Sequence, residues 1–228
     1  MTSASSLSDV SPERSGLRTS AVTYGVLRFI ARLIARLATR LEVAGLERLP
    51  DAPPYILVTN HLSAFDLPLL LFVLPHRIRA FAASEHRSNP LYGPILEIAD
   101  TIWVRRGEID RQALRKAMAV LERGEALGVA PEGTRSNETH ALQKAKAGAA
   151  YIATRTNVPI VPTAITGTEK ITRGLRRLRR SRVRILFGEP FQLPEAGHVR
   201  SQKLQEYTDV IMHRIAALLP EEYRGVYR

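Results

Sequence analysis

Residues 55–68 read YILVTNHLSAFDLP. An apolar run, Tyr55-Ile-Leu-Val-Thr59, breaks off into Asn60-His61-Leu62-Ser63-Ala64-Phe65-Asp66, and Leu67-Pro68 follow. The run is too short for a helix and is preceded by the turn cluster Leu49-Pro-Asp-Ala-Pro-Pro54, so it reads as a buried strand. Proline suits a helix's first turn, which places the start of the next helix near Asp66. On one continuous helix, five residues turn about 500° and would leave His61 and Asp66 about 140° apart. The two side chains meet only if the chain turns between them.

The same grammar recurs downstream. Short apolar runs occupy 79–83, 101–104, 126–130, 160–165 and 183–187, and helix-compatible stretches at 109–123, 141–155 and 203–219 lie between or after them. Buried strands alternating with helices predict an α/β fold: a single domain with a mostly parallel central sheet flanked by helices, spanning 45–228. Such sheets place their ligands in loops just beyond the strand ends.

The segment 21–44 is expected to be helical and strongly amphipathic. Leu27, Ile30, Ile34, Leu37 and Leu41 share one stripe, and Arg28, Arg32, Arg36 and Arg40 lie opposite. It suits a helix docked on the protein's own core, an interfacial helix with arginines at anionic headgroups, or a mixture of the two. Residues 1–20 are Ser-rich, without the basic and apolar regions of a signal peptide, and read as a disordered lead-in. The longest apolar stretch, Leu67 to Pro75, is nine residues, against about 20 for a spanning helix.

Composition removes other chemistries. With 228 residues the chain can bury a substantial core, and having no cysteine it has no disulfide, thiolate nucleophile or cysteine metal site. The six histidines show no ligand spacing, so no metal is expected. There is no GxSxG elbow, phosphate-binding GxxxxGK[ST] loop, GxGxxG fingerprint or HExxH. A net charge of +11 favours polyanionic partners. Nucleic acid is not expected, because no aromatic residue interleaves the seven arginines of 173–184. An anionic membrane surface or a phosphorylated substrate fits better.

Three loops carry candidate chemistry. His61 with Asp66 suits a base and its orienting carboxylate. In Pro131-Glu132-Gly133-Thr134-Arg135-Ser136, glycine permits close approach to a ligand, Thr134 offers a hydroxyl and Arg135 a phosphate-matching fork. Glu132 suits either a substrate hydroxyl or a hold on Arg135. The run Asp100-Thr-Ile-Trp-Val-Arg-Arg106 ends in two arginines. If these loops share one sheet edge, Arg106, Arg135 and Lys146 assemble a phosphate-sized site, with Arg105 pointing the other way.

Taken in order, NHLSAFD (60–66), DTIWVRR (100–106), APEGTRS (130–136) and VPIVPT (158–163) resemble the four blocks of the glycerophospholipid acyltransferase family. KAKAGAA (144–150), FGEPF (187–191) and LLPEEYRGVY (218–227) extend the likeness. The resemblance implies an O-acyltransferase moving a fatty acyl group from acyl-CoA or acyl-carrier protein, with no further cofactor. The acceptor would be the free hydroxyl of 1-acyl-glycerol-3-phosphate (lysophosphatidic acid), giving phosphatidic acid. It implies His61 as catalytic base and Asp66 as its partner. Arg106, Glu132, Gly133, Thr134 and Arg135 would bind the glycerol phosphate, Lys146 stands where a basic residue is frequent, and Pro162 is structural. It also implies a peripheral enzyme on the cytoplasmic face of the cell membrane. Asp100 stands where Gly is frequent, Trp103 where Phe is, Ala130 for Phe and Ser84 for Lys. Another lyso-lipid or glycolipid acceptor, or a non-catalytic basic membrane adaptor, are the competing readings.

Overall fold

The computed structural model describes residues 21–90, 93–105, 110–136, 139–194, 197 and 199–228. Its elements run α1 (Ala21–Ala38), β1 (Thr39–Ala44), β2 (Ile56–Thr59), α2 (Asp66–Val73), β3 (Ile78–Ala83), α3 (Gly93–Ile98) and β4 (Ile102–Val104). They continue as α4 (Arg111–Glu122), β5 (Ala126–Val129), α5 (Gly148–Thr156), β6 (Ile160–Thr166), α6 (Ile171–Arg176), β7 (Ser181–Phe187) and α7 (Ser201–Ala216). Seven strands form one sheet in the order β1-β7-β6-β2-β5-β3-β4. From β6 to β4 all neighbours are parallel; β7 runs antiparallel to β6, and β1 is parallel to β7.

Strand alternation divides the core into two layers. Ile56, Val58, Leu127, Val129 and Ile160 face α4, α5 and α7, packing on Ala117, Ile152 and Ile211. Tyr55, Leu57, Val161, Ile165 and Ile185 face the other way, onto α1, α2 and α6. This is the α/β domain with a mostly parallel sheet that the sequence predicts. Parallelism gathers the carboxyl ends of β2, β5, β3 and β4 on one edge.

At the opposite edge Arg79, at the start of β3, ion-pairs with Asp100 and, at 2.6 Å, with Glu125. Asp100 has φ 55°, a left-handed conformation in which Gly is at ease. Asp also tolerates this region, and here its carboxylate gains Arg79.

Two helices differ from expectation. The first ends at Ala38 instead of running on through 44, because Thr39–Ala44 pairs with β7 along its whole length. Only Leu27 of the expected stripe is buried in α1: the docked side is Tyr24, Leu27, Ala31, Ala35 and Ala38. Val22, Val26, Phe29, Ile30, Leu33, Ile34 and Leu37 face outward. Small residues let the helix lie close to its neighbours, which leaves the large side chains outside.

The second difference is 141–155, where the helix begins only at Gly148. Upstream, the backbone N–H groups of Leu142, Gln143, Ala145 and Lys146 donate to Tyr223 O, Glu132 Oε2, Tyr227 Oη and Pro131 O. Donors committed to other segments cannot close helical turns. The residues 1–20 fall outside the described region.

Candidate active site

His61 follows β2 by two residues, and Asp66 opens α2. The intervening turn brings the pair together: His61 Nδ1–H donates to Asp66 Oδ2 at 2.7 Å. The same oxygen accepts from the backbone N–H groups of Leu62 (2.8 Å) and Ser63 (2.9 Å). Asp66 Oδ1 accepts from the Thr168 hydroxyl at 2.6 Å. Asp66 is 3% exposed and Thr168 1%, so this carboxylate is held by four donors away from water. The histidine ring remains 30% exposed. With Nδ1 committed to Asp66, Nε2 is left as the nitrogen with a lone pair.

The Pro131–Ser136 turn is clamped to this loop from both sides. Glu132 Oε1 accepts from the His61 backbone N–H (3.3 Å), and Ser136 N–H donates to His61 O (2.9 Å). Glu132 Oε2 accepts from the Ser136 hydroxyl and Gln143 N–H, both at 2.8 Å. Burial pushes the Glu132 carboxyl up, against the pull of these donors. Its oxygens thus face the protein's own loops, neither a pocket nor Arg135. It positions the histidine segment.

Gly133 takes φ 69°, and a Cβ there would stand 3.3 Å from Lys146 Cδ. The Lys146 chain therefore lies against the turn, fixed by its N–H bond to Pro131 O (2.9 Å). Asn60 ties the loop to β6, its amide donating to Ile165 O and accepting from Ile165 N–H, both at 2.8 Å.

A pocket of about 280 Å³ opens at this edge. His61, Thr134 and Arg135 line it beyond the strand ends; Leu67 and Leu70 of α2, Leu96 of α3, and Ile78 and Gly128 continue it down the sheet. A polar end thus passes into a mainly apolar cleft along the α2–α3 face. Gly133 also lines it; Lys146 lies beside the turn. Arg106 lies outside the described residues. Arg105 is exposed. Pro162 sits in β6 opposite Val58, and its carbonyl accepts from Gly188 N–H.

Sequence reasoning missed Thr168, Asn60, and two further lining residues, His86 and Asn89. Thr168 is 102 positions from Asp66, so no local spacing signals their bond. Among the described residues no group of His, Asp and Glu could hold a metal ion.

Comparison with known proteins adds a family model described as Acyltransferase, which matches residues 40–166, more than half of the chain. The chain belongs to the acyltransferase family. The acyltransferase is 26% identical over 180 residues to the 1-acyl-sn-glycerol-3-phosphate acyltransferase of Bacillus subtilis, covering 78% of this chain and 87% of that one. It is 33% identical over 126 residues to the human alpha enzyme of the same name, covering 54% of this chain but 44% of the longer relative. A solved structure, the 1-acyl-sn-glycerophosphate (LPA) acyltransferase PlsC of Thermotoga maritima, superposes with a TM-score of 0.66 at 26% identity. The match covers 86% of this chain and 79% of that structure. The glycerophospholipid acyltransferase resemblance of the sequence blocks thus holds for the family and fold, and the protein is an O-acyltransferase.

Proposed function

We propose that this acyltransferase moves a fatty acyl group from an acyl thioester to the free hydroxyl of 1-acylglycerol 3-phosphate, giving phosphatidic acid. The observation that carries the reading is the 2.7 Å His61–Asp66 bond at the polar end of a pocket that Arg135 lines and that continues as an apolar cleft. Neutral His61 takes the acceptor's hydroxyl proton on Nε2 as that oxygen attacks the thioester carbonyl carbon. The tetrahedral intermediate collapses with loss of the thiolate, and the imidazolium returns the proton to sulfur. Asp66 holds the ring in one tautomer and stabilises the imidazolium.

Arg135 and Lys146, with Arg106, hold the acceptor's phosphate. The apolar cleft takes an acyl chain. The thioester supplies its own leaving group, so the step needs no cofactor beyond acyl-CoA or acyl-carrier protein as donor. The outward apolar side of α1 rests in the acyl boundary of a membrane, on its cytoplasmic face, where both lipid substrate and product reside. No described helix is long and apolar enough to cross one.

The test offers purified enzyme a thioester donor with lysophosphatidic acid, lysophosphatidylcholine, a lyso-ornithine lipid and a glycolipid acceptor. Preferential acylation of lysophosphatidic acid is expected, falling about 10²–10⁴-fold in His61→Ala with the fold intact. Near wild-type transfer by that variant would falsify the base. Preference for another acceptor would replace the substrate, and transfer to none would place the acceptor outside these four classes.

A further inference from the structure

A second cavity lies away from the catalytic pocket and shares no lining residue with it. It is a groove of about 480 Å³ between α1, β1 and the carboxyl end of α2. Four arginines line it: Arg28, Arg32 and Arg36 from successive turns of α1, and Arg180 from the residue before β7. Its other walls include Leu41, Val43, Leu46, Phe72 and Val73, all apolar.

Internal contacts orient three of these guanidinium groups. Arg28 Nη2 donates to Leu74 O (2.7 Å), Arg180 Nε donates to Thr39 O (2.8 Å), and Arg32 lies 5.4 Å above the Phe72 ring. Each of the two bonds engages one N–H of a group that has five. Among the described residues, none of the four arginines forms an ion pair with a carboxylate. Four like charges held on one concave surface raise each other's energy, and an anion relieves it.

From these observations we infer that the groove is a binding site for the headgroup of an anionic phospholipid, distinct from the site of acyl transfer. The inference rests on the membrane docking of α1 proposed above. Charge complementarity selects a phosphate diester or monoester, which matches the arginine fork. The apolar walls select a lipid over free phosphate, since the glycerol backbone and first methylenes of the chains gain cover there. The arginines border the outward stripe of α1 that carries Val26, Phe29, Leu33 and Leu37, so a helix lying in the interface brings the groove to headgroup depth. A second copy of the chain is disfavoured, because each copy carries a net charge of +11. Occupation of the groove makes membrane residence of the enzyme depend on anionic lipid content.

The experiment measures binding to phosphatidylcholine vesicles with and without phosphatidylglycerol, using three triple variants of the full chain. Arg32→Gln/Arg36→Gln/Arg180→Gln alters the groove. Arg173→Gln/Arg176→Gln/Arg177→Gln removes the same charge outside it. Phe29→Ser/Leu33→Ser/Leu37→Ser alters the stripe.

The groove variant is expected to lose at least about tenfold of the preference for phosphatidylglycerol, and the equal-charge variant much less. Turnover in detergent micelles is expected to stay normal in both, which establishes folding. A short-chain phosphatidylglycerol titrated in solution should bind one site per chain and fail to bind the groove variant; inorganic phosphate should compete weakly. Equal losses in the two arginine variants, or an unchanged preference in the groove variant, overturn the site and leave only diffuse surface charge. Full vesicle binding by the stripe variant overturns the α1 docking instead.

Discussion

Replacing Thr168 by Val keeps the side chain's shape and deletes one hydroxyl. That hydroxyl is the only donor to Asp66 Oδ1 among the described residues, at 2.6 Å, between groups 1% and 3% exposed. The other three donors, His61 Nδ1 and the N–H groups of Leu62 and Ser63, all meet Oδ2. The variant therefore leaves a buried, charged oxygen without a partner. Hydrogen bonds to charged groups contribute about 1.5–3 kcal/mol. For a domain of this size that corresponds to a melting temperature lower by about 3–12 °C.

The catalytic consequence is separable. With Oδ1 released, the carboxylate can rotate about its Cβ–Cγ bond and carry the His61 ring with it. If about 1.4 kcal/mol of alignment is lost in the transition state, kcat falls about tenfold. KM for the acceptor should stay unchanged, because Thr168 lies on the far side of Asp66 from His61. Thr168→Ser, which restores the hydroxyl, should recover most of the rate. The assay is steady-state acyl transfer beside thermal unfolding. A folded Thr168→Val enzyme with wild-type kcat, or a loss that serine does not rescue, would refute the reasoning.

Three further outcomes are expected. Gly128→Ala sets a methyl group 3.1 Å from Ile78 Cδ1 inside the pocket; turnover should shift toward shorter acyl chains across a donor series, and an unaltered chain-length profile would remove Gly128 from the acyl site. Burial pushes the Glu125 carboxyl up, but the hydrogen bonds and charges of Arg79 and Arg123 outweigh it and hold the group below its ordinary value. Its contribution to stability is therefore present above the ordinary carboxylate range and lost as pH falls through the lowered value. Wild type should exceed Glu125→Gln in melting temperature at neutral pH, with the gap closing in acid; a pH-independent gap would contradict the ion pair. Gly225 has φ 54°, and a Cβ there would lie 2.0 Å from Leu142 O. Gly225→Ala should displace the segment that carries Lys146, raising KM for the acceptor as well as lowering the melting temperature, and an unchanged KM would detach the tail from the site.

Strands β2 to β7 were legible because they are short apolar runs ended by polar loops, and burial on both faces of a mostly parallel sheet demands that pattern. Strand β1, largely exposed and continuing the amphipathic helix, was not. The start of α2 at Asp66 was legible for a comparable local reason, since Pro68 fits the first helical turn. Less legible was the segment 141–147, whose composition suits a helix. Its N–H groups are claimed by Glu132, Pro131, Tyr223 and Tyr227, up to 82 residues away.

Residue type and order by themselves determined the α/β class and the loops that carry chemistry. Those depend on local chain geometry and burial. The spacing left the meeting of His61 and Asp66 conditional on a turn, and their pairing was what the family resemblance implied. Tertiary structure alone decided which groups support them. It showed that Glu132 braces the His61 backbone, and that Thr168 reaches Asp66 across 102 residues. It also showed that α1 docks by Tyr24, Leu27 and three alanines and turns most of its large apolar side chains outward. A helical period reveals an apolar stripe. Which side of the helix its neighbours cover depends on the shape of those neighbours, and distant parts of the chain supply it.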